Sequence, residues 1–215
     1  MLEIYPKTKL IDWTLRKVVS CDCVRLVSVV VCPGKECVFE YVKDALPNHC
    51  VRMIYSNNEY EEWPGSVYSA IHSSYEKNLV LLPDTFFEYE KGETLFEEIA
   101  CSLEENMAVL GIQKCSEVEK LKSLGAVHCN YQSLRIDKFQ DKPSEKIENF
   151  NAFWGFYAFQ TKIAKNLYQF LIDSVKKQNP SYSKQLFYPF KAISIKKYMD
   201  LGTWKNINKF RENCF

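Results

Sequence analysis

Glycine is scarce in this chain. Seven glycines serve 215 residues, at positions 34, 65, 92, 111, 125, 155 and 202. The closest two, Gly111 and Gly125, stand 14 residues apart. A G-x-G-x-x-G fingerprint and a G-x-x-x-x-G-K-[ST] phosphate loop both need glycines a few residues apart, so that backbone N–H groups can reach a phosphate. Neither can occur here, and any phosphate is held by other means. Long apolar runs are also missing. A run such as Leu26–Cys32 falls far short of the ~20 residues of a membrane-spanning helix. Met1–Lys7 has no apolar stretch of the secretory kind, so the expected compartment is the cytoplasm.

Two further absences bear on chemistry. Cys21-x-Cys23 has no second cysteine pair at zinc spacing, and His49, His72 and His128 are scattered, so no metal site is read from cysteine or histidine. The nine cysteines are an odd number. They are expected to be free thiols, largely buried, in a reducing environment.

What is present reads as a globular α/β protein. Hydrophobic residues make up 47% and charged residues 26%, enough to bury a sizeable core. Net charge is +1 but unevenly spread. Residues 161–215 carry 11 Lys/Arg against 3 Asp/Glu, and residues 1–160 carry 17 against 24. A basic C-terminal quarter fits solvated helix faces, and anionic substrates can also use it.

Strand and helix patterns alternate along the chain. Leu26–Cys32 is almost continuously apolar and predicts a strand buried on both faces. Glu36–Leu46 has helical spacing, and Val51–Tyr55 reads as a short strand. Pro64 opens a helix at its first turn, with Val67, Ala70, Ile71 and Ser74 on one face. Leu79–Leu82 is a second buried strand, ended by Pro83-Asp84-Thr85. Capping boxes at Thr94-x-x-Glu97 and Ser116-x-x-Glu119 open two more helices, with a strand at Met107–Ile112 between them. Ala126–Asn130 and Leu134–Phe139 predict a hairpin, and Phe153–Phe159 an aromatic strand. A helix over about 162–177 follows, with Ile163, Leu167, Phe170, Leu171, Ser174 and Val175 inward. The polar segment Asn179–Ser183 reads as a loop, Ala192–Ile195 as a strand and Trp204–Phe210 as a helix. Such alternation implies a mostly parallel or mixed central sheet with helices on both faces. Ligands of such sheets bind beyond the carboxyl ends of the strands. Asp84, just past the second buried strand, is therefore the first residue suspected of chemistry.

A series of short motifs carries a resemblance. In order they are Trp63-Pro64-Gly65-Ser66 before a helix, Leu82-Pro83-Asp84-Thr85, Gly125-Ala126-Val127, Asp141-Lys142-Pro143, Asn149 to Gly155-Phe156-Tyr157-Ala158-Phe159, and Asp200-Leu201-Gly202-Thr203. Together they resemble the sugar-1-phosphate nucleotidyltransferases, for example glucose-1-phosphate thymidylyltransferases. The resemblance implies a Rossmann-like nucleotidyltransferase fold. It implies one domain over 1–215, with a nucleotide-binding half at 1–113 and a sugar-binding half at 114–215. It implies a cytoplasmic enzyme that transfers a nucleotidyl group from a nucleoside triphosphate to a sugar-1-phosphate and releases pyrophosphate. By the same resemblance Asp84 and Asp200 hold Mg²⁺, and Lys142 is the catalytic cation at the sugar phosphate. Gly65 and Gly125 let base and sugar approach closely, while Asp141 and Asn149 bind substrate. Neither nucleic acid nor membrane is an implied partner; a homo-oligomer or an active subunit is.

The chain departs from that pattern in one large respect. The family's first strand and its glycine-rich loop, with an arginine, have no counterpart here, so a strand in the middle of the sheet is expected to be missing and its neighbours exposed. Pro83 and Asp141 stand where the family has Gly and Glu, and no residue in 58–62 matches its base-reading Gln. Three readings stay open. One is an enzyme whose start lies further upstream. The second is a non-catalytic nucleotide- or sugar-phosphate-binding homologue or regulatory subunit. The third is a nucleotide-sugar glycosyltransferase, which would favour a D-x-D that the chain lacks.

Overall fold

The structure is a computed structural model, and it describes residues 2–56, 62–89, 95–176 and 190–213. The Thr94 capping box and the Asn179–Ser183 loop lie outside the described residues. The chain opens with a small hairpin, β1 (Glu3–Tyr5) and β2 (Thr8–Lys9), and helix α1 (Asp12–Val19). Next come β3 (Leu26–Val31), α2 (Glu36–Ala45), β4 (Cys50–Tyr55) and α3 (Trp63–Ser69). Then follow β5 (Lys77–Val80), β6 (Thr85–Tyr89), α4 (Leu95–Glu105), β7 (Ala108–Lys114) and α5 (Val118–Ser123). The rest is the hairpin β8 (Gly125–Asn130) and β9 (Arg135–Asp141), then β10 (Ala152–Gln160), α6 (Ala164–Val175), β11 (Phe190–Asp200) and α7 (Trp204–Asn213).

Seven strands form the main sheet in the order β5-β10-β7-β11-β9-β8, with β6 added to β11 and β8 also touching β10. Its pairing is mixed. The pair β7–β11 is parallel and the others are antiparallel, while β3 and β4 make a separate parallel pair. The strand β10 holds the sheet together. Residues 152–159 are all buried, and Phe156 is wholly inaccessible. One side packs Trp154, Tyr157 and Phe159 against α6 residues Leu167, Phe170 and Leu171. The other packs Phe156 and Ala158 against Phe87, Ile99 and Leu103. Burying each such side chain contributes about 1.5–3 kcal/mol.

The registers also fix where the strands end. Lys114, the last residue of β7, pairs with Ala152, the first of β10. Val80, at the end of β5, pairs with Tyr157. Gly125, at the start of β8, pairs with Asp141, at the end of β9. The strand β11 runs parallel to β7 and ends at Asp200, opposite Thr85. The carboxyl ends of β5, β7 and β11 thus share one end of the sheet with Thr85, Gly125 and Asp141.

Several details differ from the sequence reading, each for a local reason. The strand β3 is not buried on both faces: Leu26–Val30 are all half-buried. It has a partner on one side only, β4. The strand read as the second buried one is only half-buried throughout, and it sits earlier than read, since β5 ends at Val80 where its pairing with β10 ends. Leu81 and Leu82 therefore lie beyond it, and Asp84 is four residues past the strand. The helix α3 stops at Ser69, so Ile71 and Ser74 are outside it. The Ser116 capping box does not form. The helix α5 begins at Val118 with Glu117 as N-cap and no side-chain cap, so the box is out of phase with the helix; Lys120–Glu117 and Lys122–Glu119 ion pairs line its exposed face instead. Val175 is half-buried and Ile172 takes the buried place on α6. The strand β6 was not foreseen at all. Eight cysteines in the described residues are free thiols, but only Cys21, Cys115 and Cys129 are buried. Cys32 is exposed because it follows the last residue of the half-open strand β3.

Candidate active site

Asp84 and Asp200 come together. Asp84 lies in the turn between β5 and β6, and Asp200 ends β11 opposite Thr85. The amide of Leu201 donates to the Asp84 carbonyl at 2.8 Å, tying the two segments. The amide of Gly202 donates to Asp200 Oδ1 at 2.7 Å. A Cβ built on Gly202 would stand 3.0 Å from Asp200 Oδ1 and 3.1 Å from Asp84 Oδ2. Both carboxylates therefore border one small space, which a side chain at 202 would fill. Asp200 is not the cap of α7: its carboxylate closes a turn on Gly202, and Thr203 Oγ1 accepts from the Asn206 amide at 3.3 Å.

The electrostatics follow from this juxtaposition. Burial pushes the Asp84 carboxyl above its ordinary range, its own amide pulls it back, and the Asp200 charge pushes it up again. Like charges this close favour a cation between them. Burial together with Asp200 and Asp84 also holds the Tyr198 hydroxyl in its neutral form. No group of three or more His, Cys, Asp or Glu able to hold a metal occurs among the described residues. Two carboxylates are nonetheless a fitting donor set for Mg²⁺, which takes the rest of its oxygen shell from phosphates and water.

A second group gathers at the hairpin. Gly125 and Asp141 are paired across β8 and β9, and the Lys142 amide donates to the Leu124 carbonyl at 3.2 Å. Lys142 is exposed and adopts a left-handed backbone, φ 46°, which costs a non-glycine residue about 1–2 kcal/mol. The Asp141 amide donates to the buried Ser174 Oγ at 3.0 Å, fixing the end of β9 to α6. Asn149 lies on a short 3₁₀ turn beside the hairpin, and its Oδ1 accepts from Lys138 Nζ at 3.3 Å.

Gly125 is close-packed, but against the protein itself. A Cβ there would run into the Trp154 indole at Nε1. The Trp154 ring in turn meets Trp63 at 5.6 Å and Tyr157 at 5.7 Å. Trp63 opens α3, the helix that carries the buried Gly65. The aromatic cluster thus links Gly65 to Gly125. Neither Trp154 Nε1 nor the Tyr157 hydroxyl has a hydrogen-bond partner among the described residues. The acid pair is joined to β10 separately: a Cβ on Gly155 would lie 2.6 Å from the Tyr198 ring. Sequence reasoning gave no role to Trp63, Trp154 or Tyr198.

The family model described as "Nucleotidyl transferase" matches residues 1–213. The chain is a member of that family. No curated protein sequence matches it. Solved structures do. It is similar to an apo UDP-glucose pyrophosphorylase, with a TM-score of 0.72 at 13% identity over 100% of this chain and 90% of that one. It is also similar to the UDP-glucose pyrophosphorylase of Acinetobacter baumanii (TM-score 0.70, 15% identity, 97% and 82% covered). A third is the inositol-1-phosphate CTP transferase of T. maritima (TM-score 0.62, 16% identity, 98% and 87% covered). At these identities the likeness establishes the fold. No helix among the described residues is long and apolar enough to cross a membrane.

Proposed function

We propose that the chain binds a nucleoside triphosphate with Mg²⁺ at Asp84 and Asp200 and a sugar-1-phosphate beside Lys142. The reaction so served is nucleotidyl transfer, giving a nucleotide sugar and pyrophosphate. The observation that carries this reading is the space at Gly202 shared by the two carboxylates. Residues 1–113 form the nucleotide half and 114–215 the sugar half, and the free thiols favour a cytoplasmic setting.

Each residue has a task that its place supports. When bound, Mg²⁺ supplies charge neutralisation at the phosphates. Asp84 and Asp200 hold that cation, and the left-handed backbone at Lys142 presents its ammonium as a point charge to the sugar phosphate. A phosphate oxygen of the sugar attacks the α-phosphorus, so positioning and cations do most of the work. Asp141, anchored through Ser174, and Asn149 hydrogen-bond the sugar. The Trp63–Trp154–Tyr157 cluster forms the floor between Gly65 and Gly125.

Calorimetry tests the metal assignment. Wild-type protein should bind a nucleoside triphosphate more tightly with Mg²⁺ than without, and Asp84→Asn should erase that difference. An unchanged magnesium dependence in Asp84→Asn overturns the assignment. A second reading, a homologue that binds without turnover, is favoured by the spacing of the seven glycines, which allows no glycine-rich phosphate loop in these residues. Pyrophosphate release from a panel of triphosphates and sugar-1-phosphates decides between them: rates of about 1 s⁻¹ or more support the enzyme.

A further inference from the structure

The turn that joins α1 to β3 carries two cysteines with one residue between them, Cys21 and Cys23. Their sulfurs stand 2.8 Å apart, with one thiol donating its proton to the other. A disulfide bond needs about 2.05 Å, so a small rotation of the two side chains brings the sulfurs to bonding distance. Other thiols are engaged differently. The Cys32 sulfur accepts from Ser56 Oγ at 3.3 Å, and the Cys115 sulfur accepts from the Glu117 amide at 3.4 Å.

The backbone holds the pair in this arrangement. The Cys21 amide donates to the Val18 carbonyl at 3.0 Å, which extends the last turn of α1. The Cys21 carbonyl accepts from the Val24 amide at 3.5 Å, closing a turn over both cysteines, and from His49 Nε2 at 3.4 Å. The two thiols are unequal. Cys21 is buried with Leu15, Val18, Val42, Leu46 and Phe96, whereas Cys23 is exposed. A reagent from solvent therefore meets Cys23 first, and Cys21 is reached through it. Partial burial of its sulfur, and then the hydrogen bond with Cys21, push the Cys23 thiol up to about 11. Such a thiol reacts slowly near neutral pH, and it is a poor leaving group, so a disulfide made from it is slow to reopen.

We propose that Cys21 and Cys23 form a reversible dithiol–disulfide site whose reaction partner is a small-molecule disulfide. The Cys23 thiolate attacks one sulfur of that disulfide, forming a mixed disulfide, and the thiolate released takes up the proton that Cys23 gave up. Cys21 then loses its proton and attacks the Cys23 sulfur, forming the Cys21–Cys23 bond and releasing the second small thiol. Two protein thiols are oxidised and one small disulfide is reduced to two thiols. In a reducing compartment such bonds are transient and serve redox sensing or catalysis. This inference goes beyond nucleotidyl transfer and does not rest on it.

The test treats the full chain with a series of oxidised-to-reduced glutathione ratios, quenches with acid, alkylates in denaturant and digests with trypsin. Cleavage after Lys17 and Arg25 gives the peptide Val18–Arg25, whose cysteines are Cys21 and Cys23 alone. By mass spectrometry this peptide should escape alkylation and be two hydrogens lighter than its reduced form. The cyclised peptide should exceed the glutathione adduct about tenfold or more, because the second thiol is already in place. Dithiothreitol should restore both alkylation sites. In Cys21→Ala, Cys23 should stop at the glutathione adduct, and in Cys23→Ser, Cys21 should stay reduced. A wild-type peptide that stops at the adduct, or that is alkylated twice at every ratio, overturns the proposal. So does oxidation of Cys21 in Cys23→Ser as readily as in wild type, or a disulfide joining the Val18–Arg25 peptides of two chains.

Discussion

β3 and β10 read alike as sequence and end up differently as structure. Leu26–Val31 and Ala152–Phe159 are both nearly continuous apolar runs. Every residue of the second is buried; in the first only Val31 is. The difference is one of neighbours. The strand β10 has β7 along one side and β8 and β5 along the other, with core clusters on both faces. The strand β3 has β4 and then a cleft. An apolar run states what a strand is able to bury, and the adjoining strands decide how much it does bury.

Truncation should separate the two regions most sharply. Phe156→Ala removes a wholly buried ring that meets Phe87 in a tilted contact at 5.2 Å, and should cost about 3–5 kcal/mol in urea unfolding. Val29→Ala should cost about 1 kcal/mol or less, since its side chain is already half in solvent. Equal losses would break the comparison. Within the closed region, Gly125→Ala forces a methyl into the Trp154 indole and should cost about 1–3 kcal/mol. Adding Trp154→Ala should recover part of that loss, as a double-mutant cycle would record.

Smaller effects belong to the open end of the sheet. At Lys142 the left-handed backbone should make Lys142→Gly more stable than Lys142→Ala by about 1 kcal/mol, while both weaken sugar-phosphate binding. The smallest effect concerns pH. Asp84 binds its proton more tightly folded than unfolded, so stability falls as pH rises through and above the carboxylate range. Asp84→Asn should therefore melt slightly higher than wild type at pH 7 without Mg²⁺, and the difference should vanish at pH 3. Added Mg²⁺ should raise the melting temperature of the wild type alone.

Much of this was legible in the residues, because periodicity and turn residues report local preference. The hairpin, β10, α6 and the two acids at one end of the sheet were all readable. The exceptions have physical causes. The strand β6, Thr85–Tyr89, has its first three residues buried and exists through its pairing with β11, and no local pattern announces a partner more than a hundred residues away. The end of β5 is set by its register with β10. The motif glycines were read as openings for substrate, yet at Gly125 the close approach is made by Trp154, a residue that the motif's spacing alone does not select. Asn149 was carried by the resemblance, and beside the hairpin it is engaged with Lys138.

The contact between Gly125 and Trp154 has a consequence for descent. Neither position is free to drift alone: a side chain at 125 demands something smaller than indole at 154, and indole at 154 demands glycine at 125. Lineages related to this chain should change the two together or keep both. The pair is thus a heritable marker, able to separate chains that close this part of the fold with their own aromatic ring from chains that leave it open.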